Sequence, residues 1–292
     1  MLHSKAVTHN WFKEHKILTI LITLVVLIVA TLLFAFTRRD FGVLFARQKT
    51  FIYKDTERSY LISKPKEISS ESKLIIGLHG FGDSPRRFAY YTALHNTAGN
   101  NIVIYPQASE PKNENQKVGW NAGFCCGSGW INDVDDVGYI LALAESIKNE
   151  YNLDPTNTYV TGFSNGGFMT QRLAAEHPDK FSAVAVGSGS IGTNKKRLEP
   201  MSPIPILLMH GEKDKIVPFD GGPGSSDPDF QWLKFSQTKK TWEQINNSKA
   251  ATRILTYSDD RHQWHDWRLF NFWHKKPEAS IEVIAFFESN IK

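Results

Sequence analysis

A serine between a predicted strand and a predicted helix constrains this chain more than any other feature. Residues Asn157–Thr161 are rich in β-branched and aromatic side chains, which favours a strand. Residues Gly167–Glu176 are typical of a helix. Between them, Gly162-Phe163-Ser164-Asn165-Gly166 has a glycine two positions to either side of Ser164, so the backbone can turn sharply and expose the hydroxyl. The pattern predicts a nucleophile at the end of a strand; the alternative is a Gly/Ser turn without chemistry.

The acid that such a serine needs is expected after the next buried strand. A serine at a strand-to-helix turn is typical of the α/β-hydrolase fold, in which an acid and then a histidine follow it along the chain. The apolar run Ile204–His210 predicts a buried strand, and the loop after it carries Asp214. Active-site groups of open α/β sheets gather at the carboxyl ends of strands. We therefore predict Asp214 as the acid, with Glu212 and Asp220 as alternatives.

The histidine is expected beyond one further strand, Thr252–Tyr257. His262 and His265 follow that strand, and His274 lies further along the chain. We predict the first of them, His262, as the base, with His265 as the first alternative. Asp214 would then orient the imidazole, and His262 would take the proton from the serine and return it to the leaving group.

A glycine-rich loop supplies the expected oxyanion donors. The predicted strand Ser72–Leu78 runs into His79-Gly80-Phe81-Gly82, and a loop of this kind places a backbone N–H beside the N–H that follows the nucleophile. The loop and the serine turn therefore predict the backbone N–H groups of Phe81 and Asn165 as the two oxyanion donors. His79 precedes the serine in the chain, so we expect it to be structural. The two independent motifs, in this order, predict a hydrolase.

The rest of the chain is long enough for one large catalytic domain. Apolar runs alternate with helical stretches, which predicts an α/β fold with a mostly parallel central sheet and helices on both faces. We expect a short tail over residues 1–16, a transmembrane signal anchor over 17–37, a linker over 38–50 and the catalytic domain over 51–292. The stretch Gly221–Asp229 is expected to be either a flap near the site or a plain surface connection.

The N-terminal region predicts a membrane segment. Ile17–Phe36 is a run of twenty residues without a charge, which is long enough to cross the hydrocarbon as a helix. Ala35-Phe36-Thr37 is a poor cleavage site, so an uncleaved anchor is favoured over a cleaved signal. Basic residues flank both ends, and their charge therefore does not settle the orientation. The net charge of +4 is mild, no basic stripe is present, and we expect no nucleic-acid partner.

The chain has two cysteines, Cys125 and Cys126, and they are adjacent. A vicinal disulfide would suit an oxidising compartment, and two buried thiols are equally consistent with the sequence. A lone adjacent pair lacks the spacing and the further ligands of a zinc site, so no metal is expected.

Four segments of the chain form a recognisable set. The most selective is Trp120-Asn121-Ala122-Gly123-Phe124-Cys125-Cys126-Gly127; the others are His79-Gly80-Phe81-Gly82, Tyr105-Pro106-Gln107-Ala108 and the serine turn. Together they resemble the polyhydroxybutyrate depolymerase and feruloyl esterase family. The resemblance runs from about Leu74 to Phe287. The family's base lies in a Gly-Gly-His-x-Trp-Pro stretch, where this chain has Asp260-Arg261-His262-Gln263-Trp264-His265, without the two glycines and the proline. The resemblance supports His262. It implies a serine esterase without a cofactor that forms an acyl-enzyme on Ser164, outside the cytoplasm.

The substrate is expected to be an ester: a polyester, a phenolic ester or an acyl ester. We predict Trp120 and Trp264 as substrate-binding residues. An aromatic platform for such a substrate or for lipid would comprise Trp264, Trp267, Phe270, Phe272 and Trp273, interleaved with Arg268, Lys275 and Lys276. The alternative is that these aromatic residues cover the core. Two other functions stay open: a thioesterase or small carboxylesterase of the same fold, and a non-catalytic hydrolase-like domain that binds lipid or sugar.

Overall fold

The computed structural model describes residues 16–31, 48–224, 227–264 and 278–291. The chain divides into two compact units, Met1–Phe41 and Gly42–Lys292. The first unit contains a helix over residues 16–31, and the second contains the sheet and the predicted catalytic residues.

The predicted transmembrane helix is wrong for the part of the chain that the structure describes. None of the described helices is both long enough and apolar enough to cross a membrane. The described part of the predicted anchor is helical. Residues 32–37 of the predicted anchor lie outside the described residues.

Eight strands form one sheet in the order β1-β2-β4-β3-β5-β6-β7-β10 within the described chain. β1 and β2 pair antiparallel, as do β2 and β4, and the other neighbours are parallel. The strand bounds are β1 (Lys49–Tyr53), β2 (Thr56–Ser63), β3 (Leu74–Leu78), β4 (Ile102–Pro106), β5 (Thr158–Phe163), β6 (Ala183–Gly187), β7 (Ile206–Gly211), β8 (Gly222–Gly224), β9 (Asp227–Trp232) and β10 (Thr252–Tyr257).

Helices cover both faces of this sheet. Along β3, Leu74 and Ile76 belong to one hydrophobic core and Ile75 to the other, because successive side chains of a strand point to opposite faces. The helix bounds are α1 (Pro85–Thr92), α2 (Leu94–Thr97), α3 (Ser128–Ile131), α4 (Asp136–Tyr151), α5 (Asn165–Glu176), α6 (Phe235–Asn246) and α7 (Ala279–Glu288), with a 3-10 turn at Pro178–Lys180. Side chains of α4, α5 and α6 enter the first core, and those of α1, α2 and α7 enter the second.

The strand register brings the carboxyl ends of the central strands to one edge. Leu78 of β3 pairs with Gly162 of β5, and the last residue of β5, Phe163, pairs with Gly187 of β6. Tyr257 of β10 pairs with the final residue of β7, Gly211. The loops that follow β3, β5, β7 and β10 therefore leave the sheet at the same edge.

The stretch that was expected to be a loop over 221–229 contains paired backbone. β8 and β9 pair antiparallel, and Trp232 of β9 forms a further bridge to Thr193. Residues 225 and 226 lie outside the described residues.

Candidate active site

Ser164 occupies a sharp turn between β5 and α5. Its backbone has φ 55° and ψ −120°, a conformation that L residues rarely adopt. A Cβ on Gly162 would lie 2.3 Å from the carbonyl oxygen of Gly166, and a Cβ on Gly166 would lie 2.1 Å from that of Leu78. Only glycine fits at these two positions, and the close approach of strand, turn and helix places the serine at the carboxyl edge of the sheet.

The structure brings Ser164, His262 and Asp214 into one hydrogen-bonded chain. His262 Nδ1 lies 2.7 Å from Asp214 Oδ2, and His262 Nε2 lies 2.9 Å from Ser164 Oγ. An ionised carboxylate only accepts hydrogen bonds, so Nδ1 carries the proton and Nε2 is left to accept one from the serine hydroxyl. The ring of Phe163 packs against the imidazole at 4.8 Å between centroids. This is the nucleophile, base and acid geometry that acyl transfer requires.

Asp214 is held as a buried carboxylate. Burial raises the pKa of Asp214, but hydrogen bonds and charge interactions with His210 and His262 lower it by more. The pKa of Asp214 therefore lies below the ordinary aspartate value. The Oδ1 atom accepts hydrogen bonds from the backbone N–H groups of Ile216 at 2.8 Å and Val217 at 3.0 Å. The alternative acids, Glu212 and Asp220, are exposed to solvent.

His210 is a site residue that the sequence did not single out. It lies near the end of β7, at the last position of the apolar run Ile204–His210, and its Nε2 atom lies 3.3 Å from Asp214 Oδ2. The spacing of a histidine four residues before the acid was the available signal.

The glycine loop after β3 lies against the nucleophile. A Cβ on Gly80 would lie 3.5 Å from the Cβ of Ser164, and the Gly82 N–H donates to the Val118 carbonyl at 2.8 Å. Among the described residues, the N–H groups of Phe81 and Asn165 have no hydrogen-bond partner. Both are therefore available to donate to an oxyanion formed at Ser164.

His79 braces this loop from below. Its Nδ1 atom donates to the Gly80 carbonyl at 2.8 Å, and its Nε2 atom accepts from the Ala108 N–H at 3.1 Å. Burial lowers the pKa of His79 to about 4. These contacts use both ring nitrogens and keep His79 away from the serine.

Trp120 is part of the scaffold, which corrects its prediction as a substrate-binding residue. Its indole is fully buried, and its Nε1–H donates to the His79 carbonyl at 2.9 Å. The Asn165 side chain accepts from the Trp120 N–H at 2.7 Å and donates to the Trp120 carbonyl at 3.2 Å. Cys125 and Cys126 form a vicinal disulfide, and Cys126 Sγ lies 3.6 Å from Asn165 Nδ2. The W-N-x-G-x-C-C block therefore supports the glycine loop after β3 and the first turn of α5.

Trp264 is also in the core, so its prediction as a substrate-binding residue is corrected in the same way. Only 3% of the side chain is exposed, and its Nε1–H donates to Ser280 Oγ at 3.0 Å. Its ring packs on those of Phe88 and Phe163. The other residues of the predicted aromatic platform lie outside the described residues: Trp267, Arg268, Phe270, Phe272, Trp273, Lys275 and Lys276. The alternative bases His265 and His274 also lie outside them.

A cavity of about 660 Å³ adjoins the base and the acid. It is lined by Glu212, Lys213, Asp214, Lys215, Ile216, Arg261 and His262. Within residues 16–31, 48–224, 227–264 and 278–291, no group of three or more His, Cys, Asp or Glu residues is arranged to hold a metal ion.

Comparisons with known proteins find partial sequence similarity to proteins named as esterases. The profile of the Prolyl oligopeptidase family matches residues 131–201, which is less than half of the chain. The proposed esterase NocK of Nocardia uniformis subsp. tsuyamanensis is 41% identical over 86 residues, which cover 30% of this chain and 25% of NocK. The protein named Probable feruloyl esterase C of Aspergillus terreus is 30% identical over 179 residues, which cover 56% of this chain and 58% of that protein. Over these parts the chain is similar to proteins named as esterases, and the matches together support a serine hydrolase.

The chain spans less than two thirds of the length of either relative. A solved structure, that of native pOPH, aligns with a TM-score of 0.59 at 15% identity, covering 85% of this chain and 88% of that one. This likeness supports the α/β-hydrolase fold of the sheet and its helices.

Proposed function

We propose that the protein hydrolyses carboxylic esters through an acyl-enzyme on Ser164. The observation that carries the proposal is the continuous chain from Ser164 Oγ through the His262 imidazole to Asp214, with distances of 2.9 and 2.7 Å. The sharp turn at the end of β5, and two N–H groups without a partner among the described residues, supply the other parts that acyl transfer needs.

The proposed reaction follows from where each proton sits. His262 Nε2 takes the hydroxyl proton as Ser164 Oγ attacks the ester carbon, and the Phe81 and Asn165 N–H groups stabilise the oxyanion. Collapse of this intermediate breaks the bond to the alcohol, which leaves with the proton from His262. Water then attacks the acyl-enzyme by the same route, and the acid is released. Asp214 stabilises the imidazolium in both halves.

The proposed substrates are esters of the feruloyl or hydroxyalkanoate type. The named feruloyl esterase among the relatives and the W-N-x-G-x-C-C resemblance support this substrate class. We place the activity outside the cytoplasm, and the Cys125–Cys126 disulfide supports that placement because disulfides persist in oxidising compartments.

The test is hydrolysis of a panel of p-nitrophenyl esters, acetate through octanoate, with feruloyl esters and an acyl thioester alongside. The full chain is compared with Ser164→Ala, His262→Ala and the control Ser70→Ala, which changes an exposed serine elsewhere. We expect losses of at least about 10³-fold in the first two variants and none in the control. Full activity in Ser164→Ala would refute the mechanism. Preference for the thioester would instead refute the proposed substrate class.

Fluorophosphonate labelling separates catalysis from simple binding. A non-catalytic lipid- or sugar-binding domain should not react, whereas the proposed enzyme should be labelled on Ser164. An inactive parent protein that also resists labelling would leave only the binding domain.

A further inference from the structure

His210 is a second histidine beside the acid, and it approaches the same carboxylate oxygen as the base. Its imidazole is buried at the end of β7, and its Nε2 atom lies 2.9 Å from the Val217 carbonyl oxygen and 3.3 Å from Asp214 Oδ2. Both neighbours are acceptors, so Nε2 carries a proton and directs it between them. The other ring nitrogen, Nδ1, is buried without a hydrogen-bond partner among the described residues.

The surroundings of His210 fix the plane of its ring. Phe219 lies edge-on at 5.7 Å between centroids, and Phe235 lies tilted at 5.2 Å. These two rings also stack on each other at 5.0 Å. A ring confined in this way cannot swing its Nε2–H away from the acid without disrupting the aromatic packing.

The carboxylate of Asp214 is thereby fixed at both oxygens. Two backbone N–H groups hold Oδ1, whereas Oδ2 is shared between His262 and His210. Without His210, Oδ2 would lose one of these two neighbours, and the carboxylate would be less restrained in rotation about its last bond. The second donor on Oδ2 opposes that rotation, and it also offsets part of the negative charge that acts on the imidazolium.

We propose that His210 is a positioning residue for ester hydrolysis: it fixes the Asp214 carboxylate and so sets both the orientation of His262 and the pH at which that base works. The inference rests on the proposed function. His210 itself touches neither the serine nor the substrate.

The test compares two replacements of similar length, one with a donor and one without. His210→Gln carries an amide N–H near the position of Nε2, whereas His210→Met fills the same space without a donor. We expect kcat/KM to fall at least about 10-fold in His210→Met through kcat, with KM nearly unchanged, and to stay within about threefold of the parent in His210→Gln. With the donor gone, the acidic limb of the kcat/KM profile should move to higher pH, because the uncompensated carboxylate favours the imidazolium.

A double variant tests whether His210 acts through Asp214. Adding His210→Met to Asp214→Asn should lower the residual activity by less than about twofold, because the group that His210 positions has already been changed. The charged residues lining the adjoining cavity, Glu212, Lys213, Lys215 and Arg261, are the same in every variant.

Each outcome separates the two proposals. Loss of activity in Ser164→Ala tests the proposed function and does not involve His210. Equal losses in the Gln and Met variants, an unmoved pH profile, or full losses in the Asp214→Asn background would show that His210 only fills space. An active parent protein with those results would overturn the positioning role alone.

Discussion

Acidification should destabilise this protein through His79, because the buried imidazole resists protonation. Burial lowers the pKa of His79 from 6.5 to about 4, so in the folded protein the imidazole stays neutral in a range where the unfolded chain binds a proton. Stability rises with pH wherever the unfolded state holds more protons, and it is therefore lost as the pH falls from about 6.5 to about 4. The interval of about 2.5 pH units, at about 1.4 kcal/mol each, gives a loss of about 3 kcal/mol.

The assay is urea unfolding of the full chain at pH values from 7 to 4, for the parent and for His79→Gln. The variant should be less stable at neutral pH, because it disturbs the contacts to Gly80 and Ala108. Between pH 7 and pH 4, however, the free energy of unfolding of the variant should fall by about 3 kcal/mol less than that of the parent. The depressed pKa of Asp214 contributes equally in the two proteins and so cancels from the difference between them. Parallel pH profiles for the two proteins would refute the reasoning.

Three further substitutions test the packing around the site. Gly166→Ala should abolish both folding and activity, since its Cβ would lie 2.1 Å from the Leu78 carbonyl oxygen; soluble, active protein would contradict the turn geometry. Asp136→Asn should cost about 3 to 5 kcal/mol in chemical unfolding, because it leaves Arg58 buried without the ion pair now at 2.8 Å; a loss below about 1 kcal/mol would argue against a buried charge pair. Trp264→Ala should cost about 3 to 5 kcal/mol and leave the order of preference across the ester panel unchanged, whereas an altered order in a stable variant would restore Trp264 as a substrate contact.

The parts of the site that local sterics and strand order determine could be predicted from the sequence. The glycines around Ser164 leave the backbone few ways to connect a strand to a helix, so five residues were enough to indicate the turn. Asp214 and His262 follow the ends of β7 and β10, and parallel strands deliver their carboxyl ends to one edge. The order of residues along the chain therefore carried information about three-dimensional proximity.

What the sequence missed depends on packing between distant segments. Trp120 and Trp264 carry large aromatic side chains beside motif residues, and nothing local distinguishes an indole that faces a substrate from one that faces the core. Their burial follows from contacts to Asn165 and Ser280, far away along the chain. His210 was missed for a similar reason, because its role depends on the turn that brings Asp214 close to its ring. The composition of the N-terminal run predicted a membrane span, and none of the described helices is long and apolar enough to form one.

Phe81 combines an invariant and a variable contribution in one residue. Its N–H belongs to the backbone, which the Gly82–Val118 hydrogen bond holds in place, while 45% of its side chain is exposed to solvent. Any residue except proline brings the same N–H to this position. Exchange of the side chain therefore alters the exposed surface of this loop without removing the donor, so the two properties of this position can change independently.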